Sequence, residues 1–345
     1  MSTETTELLH DSVIGACGEL ADTGWHPQAW TALDEIGVTA LVVPEANGGA
    51  GATYADAAVV LPALGSVAAS LPIVEVGLMA GWLMTLAGSQ LPTGVVTAAM
   101  ADDIDAQPSG GGWLLTGRVP RVPWARHADR VVILTRLATG WYALDLPCIG
   151  LDIRHGVNVA GEPRDSIVLS NAVVSDDQMH RLGDADALDV EFRRRGAFGR
   201  SLMMAGAAQS VYAYTARYAG ERQQFGRALA AMPAVQQMLA QLAAETSAMT
   251  VAVEAAALAL DRDPMQTWTL DAARIRADAA VQTVTAIGHQ IHGAIGFTRE
   301  HPLHRLTARL WAWREEYRNQ SAWADVFGEN LCQKGDLTLW HQLTS

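Results

Sequence analysis

The spacing of hydrophobic residues divides the chain into three consecutive stretches. In residues 1–94 and again in residues 186–345, Ala- and Leu-rich segments place apolar residues three or four positions apart, which predicts amphipathic helices. In residues 95–185, short runs of β-branched residues lie between turn signals, which predicts strands. The pattern therefore predicts an α+β protein with an N-terminal helical domain, a central small antiparallel β domain of barrel or sandwich type, and a C-terminal four-helix bundle.

The individual elements follow from the same spacing. The predicted helices are Glu7–Leu20, Gln28–Ile36, Arg200–Ala219, Pro233–Leu260, Asp271–Ile295 and His301–Leu343, the last with a break at Tyr317–Asn319. The predicted strands are Val95–Ala99, Trp113–Thr116, Arg130–Leu137, Trp141–Leu146 and Ser166–Val174. The apolar run Val59–Leu86 contains two prolines and Glu75, so it predicts a buried helical segment and no membrane span.

Charge and cysteine usage narrow the class of protein. The net charge of −13 argues against a nucleic-acid partner, because phosphates need a compensating basic surface. The three cysteines are widely spaced and form neither a disulfide framework nor a metal-binding pair. The segment Met1–His10 is polar and does not resemble a signal peptide. Both observations lead us to expect a cytoplasmic protein. No GxGxxG follows a predicted strand and no P-loop is present, which excludes the usual nucleotide-binding folds.

A first candidate site is Arg222-Gln-Gln-Phe-Gly226. The guanidinium of Arg222 suits a diphosphate, Phe225 offers a flat face to a ring system, and Gly226 lets a backbone come close. The alternative is a plain helix end, with Arg222 in the last turn and Gly226 as the stop.

A second candidate is Gln290-Ile-His-Gly-Ala-Ile-Gly-Phe297. A side-chain amide at a helix end, followed by small residues, can hold a ribose or phosphate, and the alternative is again a glycine-terminated helix. His289 and His292 could share a helix face, but no third ligand is apparent nearby, so we predict a packed or solvated pair and no metal site.

Together these motifs resemble the acyl-CoA dehydrogenase family. Its members carry Arg-x-x-Phe-Gly, Gln-x-x-Gly-Gly-x-Gly-Phe/Tyr and Glu-x-Pro-x-x-Arg, and the last is matched here by Glu300-His-Pro-Leu-His-Arg305. The family loop Leu-Val-Pro-Glu-x-x-Gly-Gly-x-Gly is matched by Val42-Val-Pro-Glu-Ala-Asn-Gly-Gly-Ala-Gly51. The resemblance covers nearly the whole chain, and several co-linear motifs make chance improbable.

The resemblance implies a function in lipid metabolism and a cofactor, FAD. Family members oxidise an acyl-CoA thioester between its α and β carbons: a carboxylate removes the α proton and a hydride passes to the flavin. By the resemblance, Arg222 neutralises the FAD pyrophosphate, Gln224 and Phe225 line the cofactor, and Gln290, Gly293 and Ala294 meet its adenosine part. In the family these segments reach an FAD that a neighbouring subunit holds.

The chain departs from the family at the catalytic base. In the family, one base position is a glutamate in a Tyr-Glu-Gly-Thr-like stretch; counting on from Gln290, it is Tyr317 here, followed by Arg318. A phenol is protonated at neutral pH and replaces a carboxylate poorly. Glu316 is adjacent, but one residue along a helix rotates the side chain by about 100°, so it stands only as an alternative base.

Other members place the base on the first long helix of the C-terminal domain. The corresponding position here is Gly196, which follows Arg193-Arg-Arg195, and the nearest carboxylate is that of Glu191. We expect the three arginines to be a solvated helix start, with contact to an anionic ligand as the alternative.

A second departure lies in the β domain. The family's Thr-Glu-Pro-x-x-Gly-Ser-Asp loop is replaced by Ala99–Pro108, and its Trp-Ile-Thr stretch by Arg121-Val-Pro-Trp-Ala125. Pro120 and Pro123 also remove N–H donors. The resemblance therefore implies that the residues cradling the flavin ring are lost, although Trp124 can still pack on a neighbour.

The family residues that this chain lacks are the catalytic base and those that hold the flavin ring. The two motifs that in the family contact the FAD of a neighbouring subunit are retained. Bacterial acyl-CoA dehydrogenases of two unlike subunits, several of which act in steroid side-chain breakdown, show the same division. The leading hypothesis is thus a subunit of an α2β2 acyl-CoA dehydrogenase for a bulky or steroid side-chain acyl-CoA. The alternatives are a homotetramer with Glu316 or Glu191 as base, a stabilising pseudo-enzyme, and a flavin monooxygenase on the same fold.

Overall fold

The computed structural model describes residues 3–18, 24–184 and 187–334. These residues form two compact units. The bundle unit consists of the described residues in 1–10, 54–68 and 197–345, and the sheet unit of those in 11–53 and 69–196. The domain boundaries after residues 94 and 185 remain a prediction.

Helices build the bundle unit. They are α3 Tyr54–Ser66, α6 Pro233–Arg262, α7 Trp268–His292, α8 Leu303–Arg314 and α9 Gln320–Lys334, together with parts of α1 Thr3–Cys17 and α5 Leu188–Glu221. Gly206 of α5 lies against the carbonyl oxygen of Pro62 in α3, where no Cβ would fit. Small residues therefore let these two helices pack backbone to backbone.

The described helix α6 is long and apolar enough, by length and composition, to cross a membrane. It packs against α7 and α3, and one of its faces is buried through Leu242, Met249 and Val253. Burial of that face accounts for much of its apolar composition, as in the core helices of bundles.

Two four-stranded sheets form the centre of the sheet unit. Their strands are β1 Val96–Ala101, β2 Ile104–Ser109, β3 Gly112–Pro123, β4 Arg130–Leu137, β5 Gly140–Pro147, β6 Asp152–Arg154, β7 Arg164–Ser175 and β8 Met179–Gly183, in the orders β1-β4-β5-β8 and β2-β3-β7-β6. Leu115, Ile133 and Ile167 are fully buried within their shared core. Strand β7 alternates between buried and less buried residues over part of its length, whereas β1 and β4 are buried along most of theirs.

The predicted fold class is confirmed, with one difference in the sheets. Strand β1 runs parallel to β4, with Val96 opposite Arg130, whereas the other strand pairs of the described residues are antiparallel. The chain leaves the first sheet after β1, forms β2 and β3 in the second sheet, and returns to place β4 beside β1. Such a long crossover allows a parallel pair.

The remaining part of the sheet unit contains α2 Pro27–Glu35, α4 Gly81–Leu86 and a π-helical turn, Glu75–Ala80. The predicted loop at 42–51 is present and includes a 3₁₀ turn, Glu45–Asn47. Gly49 lies against the carbonyl oxygen of Val43, so only glycine fits there.

Element boundaries differ from the predictions where backbone geometry ends a helix. Helix α7 ends at His292 instead of Ile295, because Gly293 is left-handed with φ of +65°. The predicted break in the last segment is confirmed between α8 and α9. Predicted helical residues 19–20 and 335–343 lie outside the described residues.

Candidate functional site

The motif at residues 222–226 forms a tight β-hairpin after α5. Helix α5 ends at Glu221, and β9 Gln223–Gln224 pairs antiparallel with β10 Arg227–Ala228. The two residues between the strands, Phe225 and Gly226, have φ of +52° and +78°. Two left-handed residues in a two-residue loop are the pattern of a type I′ turn. The alternative in which Gly226 stops the helix is therefore wrong.

The hairpin presents its side chains outward. The Phe225 side chain is 91% exposed, and Arg222 and Gln224 are exposed as well. The Arg222 carbonyl accepts a hydrogen bond of 2.9 Å from the amide of Leu229, which closes the base of the hairpin. A left-handed phenylalanine costs roughly 1–2 kcal/mol, and exposing its ring recovers no burial energy. The free chain therefore carries a strained aromatic tip.

The second motif occupies the end of α7. Gly293 has φ of +65° and ψ of −144°, a conformation that favours glycine, and it begins a 3₁₀ turn, Gly293–Phe297. Gln290, Gly293 and Ala294 are all exposed. The predicted arrangement of a side-chain amide followed by accessible backbone is therefore present.

An aromatic stack joins the two motifs. Tyr218 lies one helical turn before Arg222, and its ring stacks on that of His292 at 4.6 Å between centroids and 23° between planes. His292 directly precedes Gly293 and is 3% exposed. The contact holds the end of α5 beside the end of α7, so the structure brings the Arg222 and Gln290 segments together.

The histidines near this stack are packed against other side chains. The His289 ring stacks on Phe297 at 4.1 Å, and its Nε2 lies 3.0 Å from the Thr307 hydroxyl. Burial, the largest cause, lowers the pKa of both His289 and His292 below 6.5. Among the described residues, no group of three or more His, Cys, Asp or Glu side chains could hold a metal ion. The packing is that predicted for this pair.

The expected base position lies in the turn between α8 and α9. Tyr317 and Arg318 are consecutive left-handed residues, with φ of +56° and +75°. The buried guanidinium of Arg274 donates to the carbonyls of Trp313 and Glu316 at 3.0 and 3.1 Å, so it fixes the path of this turn. The phenol of Tyr317 thus lies in a turn whose backbone is fixed by the buried Arg274.

Glu316, the alternative base, is held by a cation. Its Oε2 accepts a hydrogen bond of 2.7 Å from Nε of Arg200, whose side chain is fully buried, while the carboxylate itself is 15% exposed. The Arg200 guanidinium also lies 5.9 Å from the centre of the Tyr317 ring. A carboxylate in a charge-assisted pair of this kind is stabilised in its ionised form, which opposes proton abstraction.

The other alternative base, Glu191, also has cationic partners. It lies 2.7 Å from Arg194 and 3.5 Å from Arg195. The Arg195 guanidinium stacks over the Trp82 ring at 4.7 Å. Arg194 and Arg195 are therefore packed against their own unit, and the expectation that this arginine run is solvated is wrong for these two residues.

On the sheet side, the two replaced family stretches have well-defined structures. Residues 99–108 form the end of β1 and most of β2, joined only by Asp102 and Asp103, so the long amide-bearing loop is absent there. Trp124 is 1% exposed and left-handed, with the Arg164 guanidinium 4.6 Å from its ring centre. A ring enclosed in this way is not available to cover a flavin.

These observations decide how far the described residues fit FAD. The hairpin and the α7 end offer a guanidinium, an exposed aromatic face and accessible backbone, which suit a diphosphate and a ring system. The sheet side offers neither an amide-bearing loop nor an exposed tryptophan at the expected places. The chain therefore fits one part of the cofactor and not the other.

The sequence patterns did not identify the residues that pack against the candidate site segments or hydrogen-bond to them. Tyr218 shares a helix face with Arg222, so the four-residue spacing could have identified it. The buried arginines Arg200 and Arg274 stand among small apolar residues of long helices, a signal that we did not use. Arg274 also pairs with Asp278 four positions along α7, but its carbonyl partner at Trp313 and the Glu316 partner of Arg200 lie 39 and 116 positions away, which no local pattern predicts.

Comparison with known proteins gives the same picture. The acyl-CoA dehydrogenase N-terminal domain matches residues 3–91 and the acyl-CoA dehydrogenase C-terminal domain matches residues 194–313. The chain is 27% identical to acyl-CoA dehydrogenase IpdE2 of Mycobacterium tuberculosis over 82% of this chain and 80% of that protein.

Two solved structures share the fold. The ChsE4–ChsE5 complex from Mycobacterium tuberculosis aligns with a TM-score of 0.85 at 20% identity, over 97% of this chain and 99% of the matched one. The Tcur3481–Tcur3483 steroid ACAD aligns with a TM-score of 0.82 at 22% identity, over 96% and 98%. With the two matched domains and the hairpin and α7 motifs in place, the chain belongs to the acyl-CoA dehydrogenase family of flavoproteins, oxidoreductases that act on CH–CH groups.

Proposed function

We propose that this chain is the subunit of a heteromeric, α2β2 acyl-CoA dehydrogenase that contributes FAD contacts to a partner subunit. Arg222 pairs with the pyrophosphate, Gln224 and Phe225 line the cofactor, and Gln290, Gly293 and Ala294 meet its adenosine part. The partner holds the flavin ring and supplies the catalytic carboxylate. The chemistry that the flavin supplies when bound is acceptance of a hydride from the β carbon of the acyl group.

The observation that carries this proposal is the hairpin tip. Phe225 is strained and 91% exposed, so it is arranged for contact with something outside its own unit. The stack of Tyr218 on His292 places the α7 end beside it. Both segments carry the motif residues and are exposed, which supports their assignment as FAD contacts.

The residues at the candidate base positions support assigning the catalytic base to the partner subunit. Tyr317 stands at the expected position, and Glu316 is paired with a buried arginine. The alternative of a self-sufficient homotetramer requires one of two paired carboxylates, Glu316 or Glu191, to leave its cation. Breaking such a pair is costly, so the proposal assigns the base to the partner.

The relatives support the same assembly and a substrate class. One solved structure of this fold is a complex of ChsE4 with ChsE5, and another is the steroid ACAD Tcur3481–Tcur3483. We propose by analogy that the substrate is the CoA thioester of a bulky or steroid side-chain acid. Comparing turnover of a steroid side-chain acyl-CoA with that of butyryl-CoA by the assembled complex tests this part.

The central test is the FAD content of the complex. The chain is produced alone and together with a second acyl-CoA dehydrogenase-like protein that carries an intact Thr-Glu-Pro loop, chosen from adjacent genes. We expect little FAD and no dehydrogenase activity from the chain alone, and one FAD per heterodimer from the complex. A yellow, active homo-oligomer of this chain alone would overturn the proposal.

A pair of variants separates a cofactor role from scaffolding. Arg222→Ala removes the proposed pyrophosphate contact, and Arg262→Ala removes an equal charge from the exposed end of α6. A hydrogen-bonded charge pair contributes about 1.5–3 kcal/mol, so we expect Arg222→Ala to weaken FAD binding about 10- to 100-fold. Equal FAD affinity in the two variants would mean that the chain only stabilises its partner.

A further inference from the structure

His292 occupies a position that nothing in the family motifs explains. It is the last residue of α7, it is 3% exposed, and it lies directly before the accessible Gly293. Its ring stacks on Tyr218, one helical turn before Arg222. The stack therefore lies next to both segments proposed to bind FAD, with His292 buried and Tyr218 half-buried.

The surroundings of His292 fix the orientation of its ring. Nδ1 lies 2.7 Å from the Gly288 carbonyl, so Nδ1–H donates to that oxygen. Nε2 is then the unprotonated nitrogen, and it is buried with no hydrogen-bond partner among the described residues. A Cβ at Gly296 would lie 3.0 Å from the His292 Cβ and 3.0 Å from Leu303, so glycine leaves room for the imidazole.

We infer that His292 is a positioning residue: as a neutral imidazole stacked on Tyr218, it sets the spacing between the Arg222 hairpin and the Gly293 turn, and so the affinity of the assembled complex for FAD. This inference rests on the proposed function. The neutral form matters because the ring is buried and because other basic groups face it.

Several titratable or charged groups face the stack. Those on the neighbouring elements are Tyr214, Arg217 and Tyr218 of α5, His289 of α7, and His301 and His304 at the start of α8. His301 is the nearest of the basic groups, with its ring 4.6 Å away. Burial lowers the pKa of His292 below 6.5, and burial, His292 itself and Arg217 lower that of His301. Protonation would add a cation to this site and force the stack apart.

The test measures the Kd of FAD for the complex with the partner subunit, from pH 8 to pH 5.5. Tyr218→Ala and His292→Ala each remove one ring, and we expect each to weaken FAD binding about 2- to 10-fold, because an aromatic pair contributes that much. The double variant should bind no more weakly than either single one, since one stack is lost in all three. Tyr212→Ala, at a half-exposed tyrosine on the same helix, is the control and should bind as wild type.

His292→Phe distinguishes positioning from mere structural support. It keeps a flat ring beside Tyr218 but cannot be protonated, so FAD affinity should stay within about 2-fold of wild type at pH 8. Wild-type affinity should fall as the pH drops from 8 to 5.5, while that of His292→Phe should fall less. Circular dichroism and the amount of assembled complex exclude misfolding.

Three results would overturn the inference. One is unchanged FAD affinity in both alanine variants, another is a double variant whose losses simply add, and the third is the same pH profile in wild type and His292→Phe. If Arg222→Ala weakens FAD binding and the His292 variants do not, the positioning role fails and the proposed function stands. If Arg222→Ala has no effect either, the proposed function itself fails.

Discussion

Arg274 is the buried cation that holds the turn after α8, and its removal gives a sharp prediction. Its side chain is 1% exposed, and its Nε lies 3.0 Å from both carboxylate oxygens of Asp278. Its Nη2 donates to the carbonyls of Trp313 at 3.0 Å, Arg314 at 2.5 Å and Glu316 at 3.1 Å. The carbonyls of Trp313 and Arg314 lie in the last turn of α8 and that of Glu316 in the turn that follows, and the Trp313 carbonyl also accepts a hydrogen bond of 3.3 Å from the Glu316 amide.

Arg274→Gln leaves a buried carboxylate and several carbonyls without their donor. Removing one partner of a buried pair costs about 3–5 kcal/mol. The matched control is Arg276→Gln, two positions along the same helix. Arg276 pairs with Glu245, and the two side chains are 34% and 26% exposed. A pair that accessible to water contributes about 1 kcal/mol or less.

The assay is thermal unfolding of the purified chain, followed by helical circular dichroism. An unfolding entropy of about 2.1 cal/mol/K per residue gives about 0.7 kcal/mol/K for the 345 residues, so each kcal/mol shifts Tm by about 1.4 °C. We therefore expect Arg274→Gln to lower Tm by about 4–7 °C, and Arg276→Gln by less than about 2 °C. Equal shifts in the two variants would refute the argument, since they would show that burial of the ion pair does not set its importance.

Three further predictions concern titration, capping and the hairpin. Burial raises the pKa of Asp278 to about 6, so the folded state binds the proton of this carboxyl group more tightly than the unfolded state does. The free energy of unfolding should therefore fall as the pH rises from 4 to 6, and Asp278→Asn should flatten that slope in urea titrations. Asp261 accepts hydrogen bonds of 2.8 Å from the first two amides of α3, and Asp261→Ala should cost about 1 kcal/mol, measured against Asp263→Ala. Phe225→Asn creates the preferred Asn-Gly turn, so the free chain should keep or gain stability while its complex loses FAD; a loss of folded hairpin would contradict the turn assignment.

The sequence predicted those parts of the fold that depend on local patterns. Strand β4 was predicted at its observed bounds, because a short run of β-branched residues ends at a turn signal. Helix α6 was predicted within two residues, because a first-turn proline marks its start. Strands β2, β6 and β8 were not predicted. Ile104–Ser109 contains three polar residues and a proline, and only its first residue is β-branched, so it forms a strand through its pairing with β3.

The site was predictable in its residues but not in its geometry. Motif resemblance identified Arg222 and Gln290, yet Gln-Gln and Arg-Ala have no strand preference, so the hairpin between them was not foreseen. The pairing of Arg200 with Glu316 joins residues 116 positions apart. A contact of that range depends on packing of the whole bundle, which spacing along the chain does not contain.

The hairpin tip connects the energetics of the free chain with its proposed partner. Phe225 occupies a conformation that costs roughly 1–2 kcal/mol for a residue with a side chain, and its exposed ring gains nothing from the core. An asparagine would remove most of that strain in the same turn, so folding alone does not account for the aromatic residue. Strain of this kind is found where contact with a ligand or partner offsets it. The strain at Phe225 is thus an argument that its ring is buried in the assembled complex. The Phe225→Asn comparison measures the two effects separately, the strain from the stability of the free chain and the contact from the FAD affinity of the complex.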